Sequence, residues 1–241
     1  MRGNGFMKNR VFMVILSFVL VLYVLVIIYG KSSVKKVDYQ SFMSEKTYGF
    51  LSSIYSSNND YEGMNYEDMY NLKEFFLDDK ISSLNDLEKY SDYILIIEVN
   101  NEPIIRGNGI INNCLIVNVI KGNDLKSGNN ILIHDLIVSH QNQTALYLDG
   151  STPLKINGKY VVFLKKTNYS NINNSYVFSS TNFGHIKIDQ KGNILKNYEQ
   201  NALKLNEIVN YDHVFSKKTN LDEIVKYQNI QTSIWEKYHT Y

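Results

Sequence analysis

Two histidines six residues apart in the run HDLIVSH, His134 and His140, are the first side chains whose type and spacing suit metal binding or acid–base chemistry. On one extended strand they face the same side, with Asp135 on the other. A rise of roughly 3.3 Å per residue then separates them by about 20 Å, too far to share one ion. Solvated strand positions are the expectation. His185 opens an alternating run and reads as a strand-start residue rather than a catalytic base. The single cysteine, Cys114, excludes an internal disulfide framework and any zinc site built on two or more thiolates. Its neighbours Leu115, Ile116 and Val117 make it a buried, inert thiol.

The patterns H-E-x-x-H, G-x-S-x-G and G-x-x-x-x-G-K-S/T are all missing. Gly122 to Gly128 comes nearest to a phosphate loop, but Asn129 stands where a lysine would have to meet the phosphates. The carboxylate pairs Glu67-Asp68 and Asp78-Asp79 have no evident partner for acid–base work. The sequence therefore assigns no catalytic residue, no metal ligand and no cofactor. Tyr is abundant, at 19 residues, and could serve glycan or peptide recognition. Lys, Asn and Ile are abundant too, while Arg occurs only at Arg2, Arg10 and Arg106. That bias is typical of A/T-rich codons and points to a low-GC bacterial genome, so the Tyr count reads first as codon usage.

The elements that would position these side chains are mostly strands. Ser82 or Ser83 can cap a short helix in SLNDLEKYSDY, because a hydroxyl accepts from the exposed backbone N–H groups and Asp86 suits the positive helix end. Apolar, β-rich runs follow at Tyr93 to Val99, Cys114 to Ile120, Asn130 to Val138 and Tyr160 to Leu164, with shorter ones at Tyr176 to Ser179 and His185 to Asp189. Asn157-Gly158 is a tight-turn dipeptide, and Lys191-Gly192 reads as a hairpin turn leading to Ile194-Leu195. Helical spacing returns at Ala202 to Val209 and Asn220 to Tyr227, and Trp235 closes a polar tail.

Ahead of these elements, Val11 to Tyr29 carries no charge and no Pro. As a helix it covers about 28 Å, close to the roughly 30 Å hydrocarbon core of a bilayer. A cleaved signal has an apolar region of only about 7–15 residues, so a retained single-pass anchor is the expectation. Basic residues flank both ends of the run. A short tail holding Arg2, Lys8 and Arg10 stays in the cytoplasm, and the long C-terminal part is placed outside. Three of the 25 Lys and Arg precede the run, leaving 22 against 24 Asp and Glu, a net charge of −2 for the outer part. That balance disfavours nucleic acid as a partner. The expected organisation is a cytoplasmic basic tail over 1–10, a transmembrane helix over 11–29, and a stalk over 30–80 containing a short amphipathic helix at Glu67 to Leu77. A β domain over 81–195 and a helical extension over 196–241 follow.

The order Ser91-Asp92-Tyr93 into a strand, then Val117-x-x-Ile120-Lys121-Gly122, then Gly158-Lys159-Tyr160 into Phe163-Leu164, resembles the netrin-like domain of tissue inhibitors of metalloproteinases, as found in bacterial anchored or secreted proteins. The likeness covers roughly Ser83 to Asp189. It implies a mainly β (α+β) fold, a five-stranded OB-like barrel with flanking short helices. Inhibition in that family depends on an N-terminal cysteine and disulfides, and Cys114 inside a strand run supplies neither, so only scaffold and extracytoplasmic location carry over. The resulting expectation is a membrane-tethered binding or interaction module with an extracellular protein or glycan as ligand. The alternative is a cell-envelope hydrolase with dispersed catalytic residues.

Overall fold

The structure is a computed structural model that describes residues 38–50, 80–106, 109–135, 137–139, 144–147, 150–166, 175–189, 192–199, 202–217 and 219–241. Its centre is a ring of five strands: β2 (Tyr93–Glu98), β4 (Gly109–Lys121), β5 (Asn130–Asp135), β8 (Lys159–Lys166) and β9 (Ser175–Phe178). β2 pairs antiparallel with β4 and β8, and β4 antiparallel with β5 and, outside the ring, with the short β3 (Ile104–Arg106). β5 pairs parallel with β9, and β9 closes the ring antiparallel to β8. Taking the ring strands in chain order, they run first, second, third, fifth, fourth and back to first. The fold is mainly β with a closed five-strand barrel, and this order is consistent with an OB-like barrel.

β2 shows why these runs become ring strands. All of Tyr93 to Ile97 is buried, because both faces of the strand are covered. Leu95 and Ile97 point into the lumen with Val162, Leu164, Ile116, Ile131 and Ile133. Ile94 and Ile96 point outward with Val161 and Phe163 into a second apolar layer. Register shifts between Ile94 and Leu95 and between Ile96 and Ile97 mark bulges, which bend a strand so that a small barrel can close.

The outer layer is roofed by α4 (Leu221–Tyr238), which buries Ile224, Tyr227, Ile230, Ile234 and Tyr238 along one stripe. Asn220 caps it, accepting from the Asp222 N–H at 3.2 Å. The helix runs well beyond the expected Asn220 to Tyr227, so Trp235 lies in its last turns rather than in a polar tail. Its end is tied to α2 (Leu84–Tyr90), where Tyr238 donates to Glu88 at 2.6 Å. α2 is capped by Ser83, and Asp86 accepts from the hydroxyls of both Ser82 and Ser83. Lys121 at the end of β4 donates to the carbonyls of Glu88 and Ser91, satisfying the open end of that helix.

Three readings are corrected by the pairing. Asn130 to Val138 is not one strand. β5 ends at Asp135, opposite Ile110, whereas β6 (Ile137–Ser139) pairs with β7 (Thr144–Tyr147) in a separate sheet completed by β1 (Thr47–Phe50). Ile194-Leu195 does not fold back on β10 (His185–Lys187) as a hairpin strand. β10 pairs with β8, whereas β11 (Ile194–Tyr198) pairs parallel with β12 (His213–Ser216). The segment 196–241 is therefore not all helix, although α3 (Leu205–Ile208) and α4 lie in it. The Asn157-Gly158 turn stands, with Asn157 at φ 62° and its N–H bonded to the Val99 carbonyl.

Asp38–Tyr241 forms one unit. The part of the expected stalk that is described belongs to it: α1 (Tyr39–Glu45) buries Tyr39, Phe42 and Met43 against Ile110, Leu205 and Ile208. The apolar run Val11 to Tyr29 and the amphipathic stretch Glu67 to Leu77 lie outside the described residues, as does His140. Among the described residues no helix is long and apolar enough to cross a membrane.

Candidate functional site

A group of buried titratable side chains, His185, His213 and Asp212, gathers about the starts of β10 and β12. His213 opens β12 and lies under the roof helix, whereas His185 opens β10 opposite Val162, on the face that carries the lumen residues. Both are buried, His185 at 5% and His213 at 1% exposure. The His213 ring stacks on Tyr227 with centroids 4.3 Å apart and meets Phe215 at 4.5 Å. Tyr227 in turn stacks on Phe183 at 5.2 Å. His185 sits 4.9 Å from the Phe178 ring and 5.8 Å from Tyr160.

This aromatic enclosure sets the protonation states. Burial holds His185 down at about 4, partly offset by a hydrogen bond with the Thr152 backbone. Burial holds His213 at about 3, and the nearby His185 lowers it further. Both imidazoles are neutral at physiological pH. Asp212 beside them is pushed up to about 7 by burial, with the Gln231 hydrogen bond of 2.9 Å and Lys187 pulling the other way and Asp189 adding to the rise. His185 Nε2, His213 Nδ1 and the Tyr227 hydroxyl have no hydrogen-bond partner.

Two glycines make the packing possible. A Cβ on Gly192 would lie 1.4 Å from Asp212 Oδ2, so only hydrogen fits there. Gly150 has φ +89°, and its Cβ would come within 2.2 Å of the Val214 carbonyl and 2.7 Å of His213 Nε2. Thr152 in the same segment donates to the Tyr211 carbonyl at 2.9 Å, which fixes the approach to β12. The chemistry open to this group is proton uptake at enclosed rings; a substrate would have to displace aromatic side chains to reach either imidazole.

The residues singled out from sequence are scattered. His134 faces out of the barrel on β5, half buried, and its Nε2 meets the Ser175 hydroxyl of β9 at 2.5 Å. That bond ties the parallel β5–β9 seam. Burial lowers the His134 pKa. Asp135 faces the opposite way, into the lumen, as the strand alternation requires. Cys114 is fully buried in the lumen and its thiol is pushed up to about 12 by burial and then by Asp135. Among the described residues no group of three His, Cys, Asp or Glu is placed to hold a metal ion. Asp212, His213 and Tyr227 were not legible as a cluster from sequence; the alternation in HVF at 213–215 was the one available signal for β12. Comparison of the chain with protein-family models, with curated proteins and with solved structures gives no match in any of the three.

Proposed function

We propose that this chain is a membrane-tethered, extracytoplasmic module that binds an extracellular protein or glycan through an OB-like barrel. The observation that carries the reading is the closed ring in the order first, second, third, fifth, fourth, a scaffold with no free ring edge that holds its connecting loops in place for recognition. The apolar run Val11 to Tyr29 supports the tether, and the net charge of −2 beyond it supports a partner other than a polyanion. The ring supports the netrin-like resemblance to the level of a barrel and no further. Full-length protein in a bacterial host is expected in the membrane fraction after a high-pH wash, with release on deletion of Met1 to Gly30 and digestion of the barrel by protease added to intact cells. Retention of the deleted form in the membrane, or a barrel that external protease leaves whole, would overturn the reading.

One observation favours an envelope hydrolase as a second reading, the His134–Ser175 pair, since a serine hydroxyl on an imidazole is the core of a nucleophilic dyad. Against it, Ser175 is 2% exposed and Asp135 points away from the ring it would have to orient. A fluorophosphonate probe decides: labelling of wild type that Ser175→Ala abolishes establishes the hydrolase, and an unlabelled wild type removes it.

A further inference from the structure

The apolar run ends at Tyr29, and the domain begins at Asp38, whose carboxylate accepts from the Ser41 N–H at 2.9 Å and caps α1. α1 belongs to the domain, since Tyr39, Phe42 and Met43 are buried in one cluster with Ile110, Leu205 and Ile208. Only Gly30 to Val37 therefore stands between the run and the first residues fixed in the domain. Whatever path that segment takes, the nine Cα–Cα steps from Tyr29 to Asp38 reach at most about 32 Å. A headgroup layer of about 5–7 Å takes up part of this, leaving roughly 25 Å of clear reach.

β4 shows how short that reach is against the domain. Near its start Ile110 packs with α1, and at its end Lys121 donates to the Glu88 and Ser91 carbonyls of α2. Eleven steps with a rise of about 3.3 Å separate the two residues, about 36 Å along the strand. To set the α2 end on a bilayer, the tether would have to hold α1 off the surface by about that length, which exceeds its reach.

We propose that the α1 end of the domain rides on a lipid headgroup surface, which leaves the opposite end, α2 with the Gly122 to Asn129 turn, as the face offered to a partner. The proposal rests on the tether read from Val11 to Tyr29 and adds which end of the domain meets the membrane. The side chains at the two ends suit these places. Gln40 of α1 donates to Glu102 at 2.8 Å, and Ile105 of β3 packs into the α1 cluster while Ile104 beside it stands 57% exposed, an apolar contact for the headgroup layer. Asp38, Glu45 and Glu102 are exposed at the same end and resist entry into hydrocarbon, so the end rests on the headgroups rather than sinking through them. Lys31, Lys35 and Lys36 of the tether are attracted to anionic headgroups. At the far end Asp124 and Lys166 lie 3.9 Å apart, each more than half exposed, with Lys126 and Asn129 exposed on the same turn, a polar face that suits water and a polar partner rather than lipid.

The test uses the full-length chain in vesicles of phosphatidylethanolamine and phosphatidylglycerol that contain a headgroup-nitroxide lipid. A thiol-reactive fluorophore is placed at the α1 end in Ser44→Cys and at the far end in Lys126→Cys, both exposed positions. Cys114 stays unlabelled because it is fully buried and its thiol is pushed up to about 12. Only chain that floats with the vesicles after a high-pH wash is measured. The expected result is nitroxide quenching at least about threefold stronger at Ser44→Cys than at Lys126→Cys, as ends about 36 Å apart require. If either variant does not fold, Ser41→Cys and Asn123→Cys occupy the same two ends. Floating chain with both labels quenched equally, neither quenched, or the far end quenched more would overturn the proposal and leave the tether standing. Chain that fails to float would overturn the tether itself, and this proposal with it.

Discussion

The lumen end around Asn112 and Asp135 and the cluster of His185, His213 and Tyr227 each hold three buried polar atoms without a partner, yet they meet the deficit by different physics. At the histidine cluster the groups are rings. His213 stacks on Tyr227 and Tyr227 on Phe183, Phe215 meets His213 edge-on and Phe178 lies tilted against His185, and the two imidazoles stay neutral because burial disfavours the charged form. In the lumen the groups are an amide and a carboxyl among aliphatic side chains. A carboxyl can keep its proton, but an amide has no neutral retreat, so the lumen retains an unmet demand that stacking cannot supply.

The comparison has opposite signs in pH. His185 at about 4 and His213 at about 3 lie below the ordinary histidine value of 6.5. The unfolded chain therefore takes up more protons below 6.5, and stability from these groups, complete above 6.5, is lost as pH falls toward 4. Asp135 and Asp212, each raised to about 7 from 3.8, do the reverse. The folded chain holds more protons between those values, so stability falls as pH rises from 3.8 through 7.

Breaking the ring-lined region is expected to have the largest effect. Gly150→Ala forces a side chain into a positive-φ position against the Val214 carbonyl and His213, and should cost about 3 kcal/mol or more by urea unfolding. The result that would separate the two regions differently is an Ala variant as stable as wild type. Next come the pH slopes. From pH 4.5 to 6.5 the two histidines and two aspartates offset one another, leaving wild type nearly flat from these four groups. Asp135→Asn should tilt the profile downward toward acid and His213→Gln upward, each by up to about 1.4 kcal/mol per pH unit. Parallel profiles in the two variants would sink the opposition. The smallest effect is expected from Tyr227→Phe, which deletes an unpartnered buried hydroxyl and keeps the stacked ring. Thermal unfolding should show no loss, and a gain of up to about 1 kcal/mol, whereas a clear loss would reveal a partner for that hydroxyl.

Features governed by near neighbours in the chain were legible in advance. Ser83 caps α2 because a hydroxyl lies three residues before an unpaired N–H. Tyr93 to Ile97 is a strand buried on both faces because it is a continuous apolar run, and Asn157 turns the chain because it tolerates φ 62°. His134 and Asp135 fall on opposite faces of β5 by strand alternation alone. Cys114 is buried because its neighbours are apolar.

Pairing across long separations was decided by the tertiary structure. Ile194 lies beside His213 rather than folding back on Lys187, because the outer layer offers β12 as a partner and α4 as a roof. The third apolar run divides after Asp135 because Ile137 to Ser139 pairs with β7 rather than continuing along β4. His185 and His213 are 28 positions apart, and nothing local in either segment says that aromatic rings from two sheets and a helix will close around them. Sequence determines which segments must be buried, since that depends on side-chain type and period. Which polar groups are buried along with them depends on which strands meet, and only the folded chain settles that.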